Sequence, residues 1–224
     1  EIQADEKLLN FVYYHYHANG KTEPMTLSAF IGFLSDTAAT DPMFSSYIDE
    51  AAAQQLAVLK PLTEISALTA PMPPAALAQS LGMNAEQVTQ LFMLHYGMEY
   101  TPDKTMSLYE FVSFLTDNVL PNPEYAAMLD NAAKAKLYQA KTVADAVVSD
   151  KEFTPEEMAE FLGGISDKFN QSTVELLYLY SASLKQEAAQ STMSPEMLVK
   201  YIDKLASEPP FSSLLTAERK DGIA

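Results

Sequence analysis

Cysteine and tryptophan are absent from this chain, and glycine is scarce, with seven in 224 residues. Without cysteine there is no disulfide framework, no thiolate metal site and no cysteine nucleophile. The sequence holds no Gly-rich phosphate loop, no Gly-x-Ser-x-Gly elbow and no His-Glu-x-x-His pair. Positive charge is also short: 14 Lys+Arg stand against 30 Asp+Glu, a net charge of −16. A chain this acidic repels phosphate backbones and anionic lipid surfaces, which argues against nucleic acid as a partner. No run approaches the ~18 uninterrupted apolar residues that a membrane-spanning helix needs. The most apolar stretch, LLYLYSASL (176–184), is far too short. The N-terminal EIQADEKLLNF lacks the basic-then-apolar pattern of a signal peptide.

What is present is ordinary globular composition, 48% hydrophobic, enough to bury a core and to exclude disorder. One motif recurs: MTLSAFIGFL (25–34), TMSLYEFVSFL (105–115) and TMSPEMLVKYI (192–202). Met25, Met106 and Met193 lie 81 and then 87 residues apart, and a proline follows each after 17 residues, at Pro42, Pro123 and Pro210. Just beyond each proline comes an aromatic, two small residues and two apolar ones. Each long repeat divides again, at MPPAALAQSLG (72–82) and FTPEEMAEFLG (153–163). Starts at 25, 72, 106, 153 and 193 give a unit of about 40 residues, the size of one helix–loop–helix pair.

The helix signals are specific. Ser107 with Glu110, and Thr154 with Glu157, match the capping box, in which hydroxyl and carboxylate each satisfy a free backbone N–H. Pro155 and Pro195 stand at first helical positions, and Asn84 and Asn170 are N-cap candidates. Leu108, Phe111, Val112, Leu115 and Val119 form an apolar stripe of helical period, matched by Leu27, Phe30, Ile31 and Leu34 and by Leu198 and Ile202. Runs of strand period are absent. The pattern predicts an all-α chain of about ten or eleven helices with no significant sheet. It would form one helical repeat domain over 1–224, with pseudo-repeats 1–83, 84–169 and 170–224. In the third, Phe211 opens a helix and the sequence stops at Ala224 with a fourth helix missing, so the chain reads as a segment of something longer.

These units look like EF-hands, in which an extended residue precedes a helix that carries a calcium-binding glutamate. With Met106 at the extended eighth position, Glu110 becomes the twelfth-position ligand, but Glu99, Thr101 and Asp103 precede it and Lys104 stands where glycine belongs. For Phe153 the loop offers Ala146, Val148 and Asp150; for Met25 it offers Ala18, Gly20 and Thr22, with Ala29 at position twelve. Calcium needs a ring of several oxygens, so these loops read as degenerate and no metal or cofactor is expected. His15 and His17 point apart on a helix and cannot share a metal, and His95 sits beside an apolar stripe. Glu156 and Glu160 share a helix face but have no Glu-x-x-His partner for a di-metal site. No catalytic constellation emerges, and an enzyme is not expected. Tyr13, Tyr14, Tyr16, Phe92, Met93, Tyr96, Met98 and Tyr100 are either packing residues or an adaptable groove for an apolar ligand or partner helix.

The succession T-M-S/T-x-x-x-F-V-x-F-L, N-P-x-aromatic, T-P-E-E-M-A-x-F-L-G and LFMLHYG resembles the large extracytoplasmic domain of RND-superfamily exporters. More narrowly, it is similar to the MMPL-type transporters of anaerobic Gram-positive bacteria. The resemblance covers nearly the whole chain and rests on helix-capping patterns, so it carries no catalytic residue over. It implies a non-catalytic extracytoplasmic domain that contributes to substrate passage or assembly. It also implies a tether to transmembrane helices of the same parent chain, with other exporter subunits or an apolar cargo as partners. The alternative is a stand-alone helical protein-interaction scaffold of degenerate EF-hand type.

Overall fold

The structure, a computed structural model, describes residues 2–19, 21–163, 169–185 and 193–216. Among these residues the fold is all-α, with thirteen α-helical segments and two antiparallel ladders of two residues per strand. The count exceeds the sequence reading because single-turn pieces, Ile65–Thr69, Pro123–Ala126 and Phe211–Leu214, stand as separate helices. The chain divides into two compact units: residues 1–58 with 152–224, and residues 59–151. These units are set by long-range pairing and are a different division of the chain from the pseudo-repeats 1–83, 84–169 and 170–224, which the local pattern marks.

In the first unit, α1 (Ile2–Ala18) leads to strand β1 (Met25–Thr26) and helix α2 (Leu27–Phe33). The Thr26 side chain caps α2 by accepting from the Ala29 N–H. A π-helical turn, Leu34–Ala38, extends α2, and α3 (Glu50–Leu59) follows. The chain returns to this unit at β4 (Glu152–Phe153), then α10 (Pro155–Gly163), α11 (Gln171–Lys185), α12 (Pro195–Ala206) and α13 (Phe211–Leu214). Met25 pairs with Phe153, and Thr26 with Glu152. Helix α11 packs on α1 and α10 and is nearly all buried on its Val174–Tyr180 stretch. Tyr178 donates to the Phe153 carbonyl at 3.0 Å, which fastens β4 to α11.

The second unit contains α4 (Ile65–Thr69), β2 (Pro71–Met72), α5 (Pro74–Leu81), α6 (Ala85–Tyr96), β3 (Met106–Ser107), α7 (Leu108–Phe114), α8 (Pro123–Ala126) and α9 (Asn131–Val148). A second π-helical turn, Leu115–Val119, extends α7. Pro71 pairs with Ser107 and Met72 with Met106. Helix α5 ends where Gly82 takes φ +61°, a left-handed conformation that costs glycine little, and the Met83 N–H then closes onto the Ala78 carbonyl. Asn84 caps α6 and Asp130 caps α9. Phe92 and Phe111 meet at 5.4 Å in the core of this unit.

Elements recur at fixed spacing. Strands begin at 25 and 106 and at 71 and 152, helices at 27 and 108, at 50 and 131, and at 74 and 155, and both π-helical turns follow the same seven-residue helix. The stripe residues Phe30, Leu34, Phe111, Leu115, Leu198 and Ile202 are all buried.

The first unit also buries a carboxylate. Asp41 accepts from Tyr180 at 2.5 Å, from the Met43 N–H at 2.9 Å and from Lys7 at 3.1 Å. Tyr180 stacks on Phe44 with ring centroids 3.7 Å apart. Burial pushes the Asp41 pKa up, but the hydrogen bonds from Tyr180, Met43 and Lys7 outweigh it and hold the carboxyl below its usual value.

Two outcomes follow. Phe111→Ala should lower stability by about 3–5 kcal/mol, read as the urea midpoint, because it opens a cavity in a fully buried site. For Asp41 the depressed pKa means that its stabilisation is full above the unfolded carboxylate value and is lost as pH falls through the folded one. Asp41→Asn should therefore cost about 2 kcal/mol at pH 7. The gap between variant and parent chain should close in urea titrations below about pH 4.

Candidate functional site

The four extended residues Met25, Met72, Met106 and Phe153 face one another in the two ladders, Met25 opposite Phe153 and Met72 opposite Met106. The helix that follows each begins with its N–H groups unsatisfied, and the local sequence supplies the partners. At Met106 the Ser107 hydroxyl accepts from the Glu110 N–H at 3.2 Å, while Glu110 Oε2 accepts from the Ser107 N–H at 2.9 Å and its hydroxyl at 2.8 Å. Those hydrogen bonds, the backbone one first, hold the Glu110 carboxyl below its usual pKa. At Phe153 the Glu157 carboxylate accepts from the Thr154 N–H at 3.0 Å and Thr154 accepts from the Glu157 N–H at 3.3 Å. The carboxylates at position twelve thus cap their own helices.

Among the described residues the rest of each loop does not assemble an oxygen ring. Ala29 and Ala76 occupy position twelve after Met25 and Met72. Asp103 is fully exposed, and Asp150 sits in a turn at φ +49°. Gly20 lies outside the described residues. Among the described residues no three His, Asp or Glu side chains gather as a metal-ligand set.

The histidines separate. His15 is half-buried, its Nδ1 2.6 Å from the Tyr201 hydroxyl and its ring edge-on to Phe211 at 4.8 Å. Burial lowers its pKa; Glu208 opposes this and Lys204 adds to it. His17 is exposed, and His95, also exposed, lies against Tyr96 and Phe114. Glu156 and Glu160 are both exposed on α10.

The aromatic and methionine residues divide between the two units. Tyr13, Tyr14 and Tyr16 belong to the first unit and Phe92 to Tyr100 to the second. Phe92 is core, whereas Met93 and Met98 are exposed. Tyr96 donates to the Thr105 carbonyl at 2.8 Å and carries the Lys104 ammonium 5.0 Å from its ring.

Sequence reasoning did not find a cleft of the first unit, about 450 Å³, lined by His15, Thr154, Gln171 and Glu175 and by apolar Leu176 and Phe211. Its signal was weak because the residues come from three distant stretches of chain. Glu175 accepts from Gln171 at 2.9 Å, and His15 faces a phenol rather than a nucleophile. The lining sets the His15 imidazole and the Glu156 and Glu175 carboxylates among apolar side chains. The second unit has a smaller cavity, about 240 Å³, between the capped starts of α6 and α9.

The capping geometry sets an expected result. Millimolar calcium should leave the melting temperature of the parent chain and of Glu110→Gln unchanged, because a ligand stabilises only what it binds. Glu110→Gln should itself lower stability by about 1 kcal/mol through the weakened cap, read by thermal denaturation followed by circular dichroism.

Comparison of the chain with protein-family models, with curated proteins and with solved structures finds no match.

Proposed function

We propose that this chain is a non-catalytic, extracytoplasmic helical module of a membrane exporter, contributing to substrate passage or assembly. The observation that carries the reading is the use of Glu110 and Glu157 as helix caps at the motif positions on which the resemblance to MMPL-type exporters rests. Residues that would hold a metal in a calcium sensor here hold helices in place, as a scaffold requires. Among the described residues no helix is long and apolar enough to cross a membrane. In this reading the membrane contact comes through transmembrane helices of the parent chain, and the helical surface meets other exporter subunits or an apolar cargo. The acidic surface keeps the module off anionic headgroups.

The antiparallel pairing of extended residues in both ladders favours a second reading, a stand-alone interaction scaffold of degenerate EF-hand type. The two are separated by topology labelling of the full-length parent in a cysteine-free background. Met98→Cys presents a fully exposed thiol. Labelling by a membrane-impermeant maleimide in intact cells is the expected result. Labelling only after permeabilisation, or a parent reading frame without flanking spans of about 20 apolar residues, overturns the exporter reading.

A further inference from the structure

The two ladders are built from the same two kinds of strand. Met25–Thr26 and Met106–Ser107 each precede a capped seven-residue helix, and Pro71–Met72 and Glu152–Phe153 each lead to a helix that opens on proline. Within one spacing of 81 residues the first kind at 25 belongs with the second kind at 71, and 106 belongs with 152. The structure pairs them the other way: 25 with 153 and 72 with 106. The register is the same in both ladders, the first residue of one strand opposite the second residue of the other. Each strand therefore pairs with one in the other 81-residue stretch rather than with the other strand of its own. Strand chemistry does not choose between the alternatives, so connectivity and effective concentration do.

The first unit is discontinuous: residues 59–151, the second compact unit, lie in sequence between its two parts. Its N-terminal part supplies β1, Phe44 and Asp41, and its C-terminal part supplies β4 and Tyr180. The chain enters the C-terminal part through Ser149–Lys151, an exposed turn with Asp150 at φ +49°. If that turn opens, the C-terminal part of one chain meets the N-terminal part of a second copy with every contact of the unit retained. We propose that the chain closes in this way with a second copy of itself, as a reciprocally swapped dimer joined through the β1–β4 ladder. Domain swapping of this kind adds no new interface chemistry and is governed by concentration. Each copy carries −16 charges, so the dimer forms more readily when salt screens the repulsion.

The absence of cysteine makes the test clean. Chains carrying Thr26→Cys and chains carrying Glu152→Cys are unfolded, mixed, refolded together at high protein concentration in about 1 M salt and oxidised. The expected result is a disulfide-linked heterodimer joining positions 26 and 152, identified by peptide mass spectrometry. Its yield should be several-fold above that of Thr26→Cys paired with the exposed Tyr138→Cys, and it should not form when separately folded chains are mixed. A yield equal to that control overturns the proposal. Because Thr26→Cys removes a helix cap, the unsubstituted chain is refolded in parallel and followed by light scattering. A dimer that returns slowly to monomer on dilution is expected, and monomer alone at every concentration overturns it. Neither readout involves a membrane, so the result stands apart from the exporter reading.

Discussion

The junction between residues 1–58 and 152–216 rests on Tyr180. Its ring lies on Phe44 and its hydroxyl donates to a buried carboxylate, so one side chain of α11 contributes both apolar area and a charge-assisted hydrogen bond. Phe11 adds edge-on contacts to both rings from α1. Asp41 tolerates burial because three donors surround it; one donor fewer would leave an undercompensated charge in an apolar site. Of these donors Lys7 is half exposed and contributes least, since water screens it. Closing a unit across an insertion as long as 59–151 is feasible because loop-closure entropy grows only logarithmically, about 0.6 kcal/mol for each doubling.

Much of the fold was legible because helix starts are local chemistry. Ser107, Asn84, Thr154 and Asn170 cap helices within three residues of themselves, and the stripe through Phe111 and Leu115 records one buried face. Strand partners were not legible. Each strand has two residues, too few to show a period, and its partner lies up to 128 residues away, from Met25 to Phe153. The π-helical turns at Leu34–Ala38 and Leu115–Val119 continue an α-helical stripe and leave no mark of their own. Asp41 was missed because an isolated aspartate after a helix reads as solvated, and only the distant Lys7 and Tyr180 reveal its burial.

The loops illustrate how one residue can serve two chemistries. A glutamate at position twelve of a calcium loop brings two oxygens to the ion, and the ion orders the loop. Glu110 and Glu157 instead accept from N-cap backbone N–H groups, so the loops are ordered without a charged centre. That arrangement needs only a hydroxyl and a carboxylate three residues apart, which frees the other loop positions to become Ala, Val or Lys. The candidate cleft followed no such local rule: His15, Thr154 and Phe211 come from stretches far apart in sequence, and only the fold brings them together.

A ladder of two residues cannot by itself hold distant parts of a chain together, because its few hydrogen bonds each contribute only about 1 kcal/mol net. It can, however, set register, and register here decides which helices meet. Once Met25 faces Phe153, the Tyr178 hydroxyl reaches the Phe153 carbonyl and its ring meets Phe30 at 4.6 Å. The same α11 that carries Tyr178 also carries Tyr180, two residues on, toward Phe44 and Asp41. The short strand thus aligns a long helix, and the helix supplies the buried area that stabilises the unit. Register and stability are thus divided between the strand and the helix.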